Sequence, residues 1–223
     1  MTKATAIDRP SKILIVDDHP IVRQGLARLI EEQPGFSVCG QAEGAADTLE
    51  LFEATQPDLI IVDISLKDVG GIELIKQIKS RNPNTLMLVS SMHDESLYAE
   101  RALRAGARGY INKEEAIEKM MTAIKTILNG KVYLSERMTD QLLHRAVTPS
   151  DSIQASPVES LSDRELEVFE FIGDGLTTRQ IARKLFLSTK TIETYREHIK
   201  SKLHVKSSAE LVHFAVRWRL EKE

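Results

Sequence analysis

The chain has 223 residues, 42% of them hydrophobic and 28% charged, which suits one large globular domain or two modest ones. A formal net charge of -3 excludes a uniformly basic nucleic-acid binder, and the single cysteine, Cys39, excludes an internal disulfide and fits a reducing compartment. No apolar run reaches the roughly 20 residues of a membrane span, and "MTKATAIDRPSK" lacks the apolar stretch of a signal peptide, so the expected location is the cytoplasm, with no membrane partner.

The first predicted element is a strand at 12–16, where Ile13, Leu14, Ile15 and Val16 form the continuous apolar run of a strand covered on both faces. It ends in Asp17 and Asp18. Two carboxylates about 4 Å apart repel by roughly 4 kcal/mol at an effective dielectric of 20, so the pair calls for a positive partner. The alternative is that one of them caps the next helix, with Pro20 in its first turn. Ile21, Val22, Leu26, Leu29 and Ile30 predict that helix. Strands follow at 37–40, 59–63, 86–90 and 109–111. Between and after them, helical spacing is carried by Leu49 and Phe52, by Ile72, Ile75 and Ile78, by Leu97, Ala102 and Leu103, and by Ile117, Met121, Ile124 and Leu128. This alternation predicts an α/β domain over residues 1–130, with a doubly wound, five-stranded parallel sheet. Such sheets bind ligands beyond the carboxyl ends of their strands, where Asp17, Asp18, Asp63 and Ser90 all fall.

Three carboxylates at one sheet edge suit a hard divalent cation, most often Mg²⁺. Lys113, after the fifth strand, supplies an ammonium for an anion near the metal, and Ser90 supplies a hydroxyl. Singly, Ser90 reads as a strand-end residue and Lys113 as a solvated helix start; together they describe phosphoryl transfer to an aspartate. At this point "ILIVDDHPIVRQGL", "PDLIIVDISLKDVGGIEL", "LMLVSS" and "ARGYINK" resemble the receiver domain of bacterial response regulators. The resemblance implies that Asp63 accepts a phosphoryl group from a histidine kinase. It also implies that Asp18 binds Mg²⁺ directly, Asp17 partly through water, and Ser65 through its backbone carbonyl. Ser90 would turn toward the phosphoryl oxygens, Lys113 would pair with them, Tyr110 would move inward as the coupled aromatic, and small Ser91 would leave access. Two departures from the pattern stand out: Lys67 where many relatives have proline, and Glu114 where many have proline after the lysine.

Residues 131–157 are expected to be a linker with a helix in "SERMTDQLLHRA", followed by Ser- and Pro-rich "TPSDSIQASPVES". From 158 to 223 the pattern is wholly helical, in four segments. "GLTTRQIARKLFLSTKTIETYREHIKSKLHVKS" reads as helix, turn, helix, with Ser188 as N-cap of the second helix and Ile192, Tyr195, Ile199 and Leu203 as its buried stripe. From 176 to 206 eight lysines and arginines face two glutamates, a phosphate-seeking excess that the net charge hides. The alternative for such a stretch is a solvated face of a small bundle. Residues 158–220 resemble the LuxR-type DNA-binding domain, and receiver plus this domain is the arrangement of the NarL/FixJ response regulators. On that resemblance Lys190 and Thr194 are expected to meet bases or phosphates of double-stranded DNA. Arg179, Arg183, Arg196, Lys200 and Lys206 are expected to position the domain through phosphates. Glu193 and Glu197 share the outward face, where Glu193 either accepts from cytosine or orients Arg196. Val212 and Val216, off the core stripe of the last helix, suit a symmetric contact. A homodimer on phosphorylation or on DNA is expected, with the surface around the fourth helix and fifth strand remodelled.

The expected product is a phosphorylation-dependent transcriptional regulator of a two-component system and not an enzyme. The enzymatic rival, an Mg²⁺-dependent aspartate phosphatase, generally carries an Asp-x-Asp arrangement; here Ser65 stands two beyond Asp63 and His19 two beyond Asp17. A second rival is a receiver-like adaptor that binds proteins without DNA.

Overall fold

The computed structural model describes residues 9–66, 69–147 and 157–221. The chain divides into two compact units, Met1–Val147 and Thr148–Glu223. Lys67 and residues 148–156 of the expected linker lie outside the described residues.

In the first unit the strands are β1 (Ser11–Val16), β2 (Phe36–Ala42), β3 (Leu59–Val62), β4 (Leu86–Ser91) and β5 (Gly109–Asn112). They alternate with α1 (Pro20–Glu31), α2 (Ala45–Thr55), α3 (Gly71–Arg81), α4 (Glu95–Ala105) and α5 (Ala116–Leu128). All pairings are parallel, in the order β2-β1-β3-β4-β5. The order reverses between β1 and β3, which opens a crevice beyond their carboxyl ends. The apolar runs Ile13–Val16 and Leu59–Val62 have essentially no exposure, as strands covered on both faces require.

One helix face differs from the expected one. Along α1 the buried positions are Arg23, Leu26, Ala27 and Ile30, whereas Ile21 is 84% exposed. Arg23 earns its buried place by donating to the Asp17 carbonyl at 2.5 Å and to Glu43 at 2.6 Å.

Residues after α5 continue the unit. Tyr133 forms a single parallel bridge with Gly109, its N–H donating to Arg108 and its carbonyl accepting from Tyr110, both at 3.0 Å. Ser135 then donates from N–H and hydroxyl to the Glu95 carboxylate, at 3.1 and 2.5 Å, and the same hydroxyl accepts from Met138 N–H. So begins α6 (Glu136–Val147), with Met138 buried. The chain's own continuation thus lies along the edge of α4 and β5, and any receiver–receiver contact there must accommodate it.

The second unit holds a 3₁₀ turn (Pro157–Ser160), α7 (Asp163–Gly173), α8 (Thr178–Lys184), α9 (Thr189–Lys202) and α10 (Ser208–Leu220). Ser162 with Glu165 and Thr177 with Gln180 form reciprocal capping boxes, and Ser188 caps α9 by accepting from Thr191. Leu166, Phe169, Ile172, Ile181, Ile192, Ile199, Leu211 and Ala215 make its core. Tyr195, expected in the buried stripe, is only half-buried.

Candidate metal centre and nucleic-acid interface

The topology brings β1, β3, β4 and β5 to one edge, and with them every acidic and basic residue expected there. Asp17, Asp18 and Asp63 are buried, as is Ser90. Lys113 reaches from the end of β5 to bridge two of the carboxylates, with Nζ 2.6 Å from Asp17 Oδ2 and 2.7 Å from Asp63 Oδ2. The other Asp63 oxygen accepts the Ser65 N–H at 3.2 Å. Burial pushes the Asp63 carboxyl above its ordinary value, opposed by the Lys113 ammonium and reinforced by the Asp17 charge. Burial opposes the charge of Lys113 as well, but the carboxylates of Asp63 and Asp17 outweigh it and hold its pKa above the usual lysine value.

A histidine joins this cluster that sequence reasoning gave no role. His19 donates its N–H to Asp17 at 2.8 Å, and its Nδ1 lies 3.2 Å from Asp17 and 2.6 Å from Asp18. Ligand atoms of Asp17, Asp18, His19 and Asp63 all lie within 4.8 Å of one another. Its position directly after the paired aspartates was the available signal.

The donor set fits a hard divalent cation. Three buried carboxylates converge where Lys113 bridges two of them, and oxygen donors dominate. The Ser90 hydroxyl is buried with no hydrogen-bond partner among the described residues. Leaving such a group unpaired costs about 1–3 kcal/mol, a cost that an anion at this edge would remove.

Two further groups connect the edge to the fold. A Cβ on Gly71 would meet the Asp63 carbonyl oxygen at 2.0 Å, so α3 starts against the end of β3 with no room for a side chain. Tyr110, expected to move inward, is already inward: it is 1% exposed, and its hydroxyl donates to the His93 carbonyl at 2.8 Å.

In the second unit α8 and α9 are joined by a turn over residues 185–188. Arg179, Arg183, Lys190, Glu193, Thr194, Glu197 and Lys206 are exposed, and Arg196 and Lys200 are half-buried. Lys200 pairs with Glu197 at 2.8 Å, which partly neutralises both. The Thr194 hydroxyl turns back to the Lys190 carbonyl at 3.1 Å. Glu193 has no ion-pair partner among the described residues, so it does not orient Arg196 here. Lys202 faces away from this set, holding Glu165 at 2.6 Å and tying α9 to the start of α7. Val212 is exposed and Val216 half-buried. No helix among the described residues is long and apolar enough to cross a membrane.

Comparison with known proteins gives the same two parts. Residues 13–125 match the response regulator receiver domain, and residues 159–215 match the bacterial regulatory proteins of the luxR family. The chain is 34% identical over 206 residues to the response regulator GacA of Pseudomonas aeruginosa, covering 92% of this chain and 95% of that one. It is 33% identical over 214 residues to the oxygen regulatory protein NreC of Staphylococcus epidermidis, covering 94% and 98%. Among solved structures it is similar to RcsB of Salmonella enterica serovar Typhimurium bound to promoter P1flhDC with the phosphomimetic BeF₃⁻. That match has a TM-score of 0.62 and 25% identity, over 93% of this chain and 98% of that one. A LuxR-family response regulator of Aurantimonas aligns at 35% identity and TM-score 0.58, over 62% of this chain and 99% of the other.

Proposed function

The chain belongs to the NarL/FixJ response regulators, DNA-binding transcription factors of two-component systems, and from that membership we propose that Asp63 is the phosphoacceptor through which a histidine kinase controls it. One observation carries the assignment: Asp63 sits at the switch point of the sheet, bridged to buried Asp17 by Lys113, on the edge that also holds the buried Ser90 hydroxyl. An Asp63 carboxylate oxygen attacks the phosphorus of the kinase phosphohistidine. The O–P bond forms, the N–P bond breaks, and the electron pair leaves with the imidazole. Lys113 follows the transferred charge, releasing part of its hold on Asp63 to pair with a phosphoryl oxygen. Ser90 turns its hydroxyl to another. Asp17, Asp18, Asp63 and the Ser65 carbonyl would hold Mg²⁺, which when bound neutralises charge on the phosphoryl and carboxylate oxygens.

In the second unit we assign α9 to the major groove of double-stranded DNA. Lys190, Glu193 and Thr194 would face base edges, and Arg179, Arg183, Arg196 and Lys206 would face phosphates. Glu197 and Lys200 enter as an ion pair that an approaching phosphate competes for. A homodimer formed on phosphorylation or on DNA places two such helices on two half-sites, and the cytoplasm is the compartment these partners require. The test is labelling with a small acyl phosphate in Mg²⁺, followed by mapping of the modified residue. Label on Asp63, abolished in Asp63→Asn, is the expected result; label persisting in Asp63→Asn at the same rate would overturn the assignment.

A further inference from the structure

Ser65 and His93 lie on separate loops, one after β3 and one after β4, yet Ser65 Oγ is 2.9 Å from His93 Nε2. Either imidazole tautomer makes this bond, because the serine hydroxyl can donate or accept. The histidine is anchored on its other sides. Its ring packs on Tyr98 with centroids 4.5 Å apart, and its N–H donates to Ser91 Oγ at 3.1 Å. Its carbonyl accepts the Tyr110 hydroxyl at 2.8 Å. Ser65, at the far end of the contact, directs its own N–H onto Asp63.

We propose that His93 is a positioning residue for phosphoryl transfer at Asp63, fixing the Ser65 peptide through the serine hydroxyl while its own carbonyl holds Tyr110 inward. The proposal rests on the reading of Asp63 as phosphoacceptor and of the Ser65 carbonyl as a metal ligand. Its physical basis is local. Ser65 directs its N–H onto Asp63 and would offer its carbonyl to a bound metal, and both groups turn with the backbone torsions of that one residue. A serine on a loop has little to hold those torsions by itself. A hydrogen bond to a ring already wedged against Tyr98 supplies the anchor. Because the same residue accepts from Tyr110, movement of the Ser65 loop reaches the aromatic on β5 through a single side chain and its own carbonyl. The bond to Ser65 Oγ is the route by which His93 acts on the geometry at Asp63.

The experiment uses the full chain, with Mg²⁺ affinity from calorimetry and the half-life of the acyl-phosphate-derived label as readouts. His93→Phe keeps the ring on Tyr98 and loses the nitrogen; Ser65→Ala keeps the carbonyl and loses the hydroxyl; His93→Gln can restore a donor or acceptor. Each of the first two should weaken Mg²⁺ binding roughly three- to tenfold, as one lost hydrogen bond implies. The double variant should be no weaker than either single, since both remove the same contact. His93→Gln should recover part of the loss. Wild-type Mg²⁺ affinity in both single variants, or effects that multiply in the double variant, would overturn the proposal. Ser65→Ala, a small change on a surface loop, keeps the test decisive even if His93→Phe misfolds. If wild-type chain takes no label at Asp63, the underlying reading fails; if it does and the variants bind Mg²⁺ normally, only the positioning role fails.

Discussion

Gly71→Ala should cripple phosphorylation of Asp63 while leaving the hydrophobic core intact. A Cβ at this position would lie 2.0 Å from the Asp63 carbonyl oxygen and 2.8 Å from Ile64 Cα. An ordinary carbon–oxygen contact is roughly 3.3 Å, so the start of α3 and the end of β3 must part by about 1.3 Å. The residue cannot simply swing aside, because its N–H donates to the Ile64 carbonyl at 2.8 Å. Overpacking of this kind costs about 1–3 kcal/mol of stability, and a misplacement near 1 Å at a reacting group can cost about a hundredfold in rate. The assay is the initial rate of label transfer from an acyl phosphate at saturating Mg²⁺, read beside a thermal melt. Gly25→Ala is the control. It lies inside α1 with nothing within 4 Å of the added carbon, so it should stabilise by about 0.5–1 kcal/mol and label normally. A folded Gly71→Ala protein that labels at the wild-type rate would refute the idea that contact between α3 and β3 sets the position of the phosphoacceptor.

On DNA, Arg179→Ala and Arg183→Ala should weaken binding to every duplex and flatten the slope of log K against log salt by about 0.9 each. Lys200→Ala should flatten it less, because its ammonium is already held by Glu197; equal changes in all three would contradict that. Glu165 offers a pH test. Burial raises its carboxyl, but the hydrogen bonds from Lys202 and Ser162 outweigh this and leave it below the usual glutamate value. A depressed folded-state pKa means stability that is present at neutral pH and lost as pH falls through that value. Glu165→Gln should therefore lower the melting temperature of the second unit at pH 7, with the difference closing in acid; a gap that persists at low pH would exclude the linkage. Ser135→Ala removes the hydroxyl that bonds Glu95 and accepts from Met138, so amide exchange over residues 136–139 should quicken about fivefold. Unchanged exchange there would mean that the start of α6 is held by something else.

Much of this molecule was legible in its residue pattern because the informative contacts are short-range or periodic. The runs at 13–16 and 59–62 could only be strands covered on both faces, and their acidic ends mark the ligand edge by topology alone. The caps of α7, α8 and α9 are local too, each a side chain meeting a backbone amide three residues on. What escaped depends on pairs far apart in sequence. His93 meets Ser65 across 28 residues and Glu95 meets Ser135 across 40, and nothing in the spacing of either announces its partner. Arg23 was missed for another reason. Its charge argues for solvent, and only the Asp17 carbonyl and Glu43 make burial tolerable. Tyr110 was legible as an inward aromatic, but the carbonyl that satisfies its hydroxyl was not, because it belongs to an irregular loop at His93.

Phosphorylation of Asp63 as the control of DNA binding can be put to a single comparison. Affinity of the full chain for a duplex carrying two half-sites is measured at fixed salt, with and without an acyl phosphate, for the wild type and for Asp63→Asn. A coupling of about 1–3 kcal/mol predicts tightening by roughly 5- to 150-fold in the wild type and none in Asp63→Asn. Equal tightening in both proteins, or none in a wild type whose Asp63 carries the label, would mean that Asp63 does not control DNA binding.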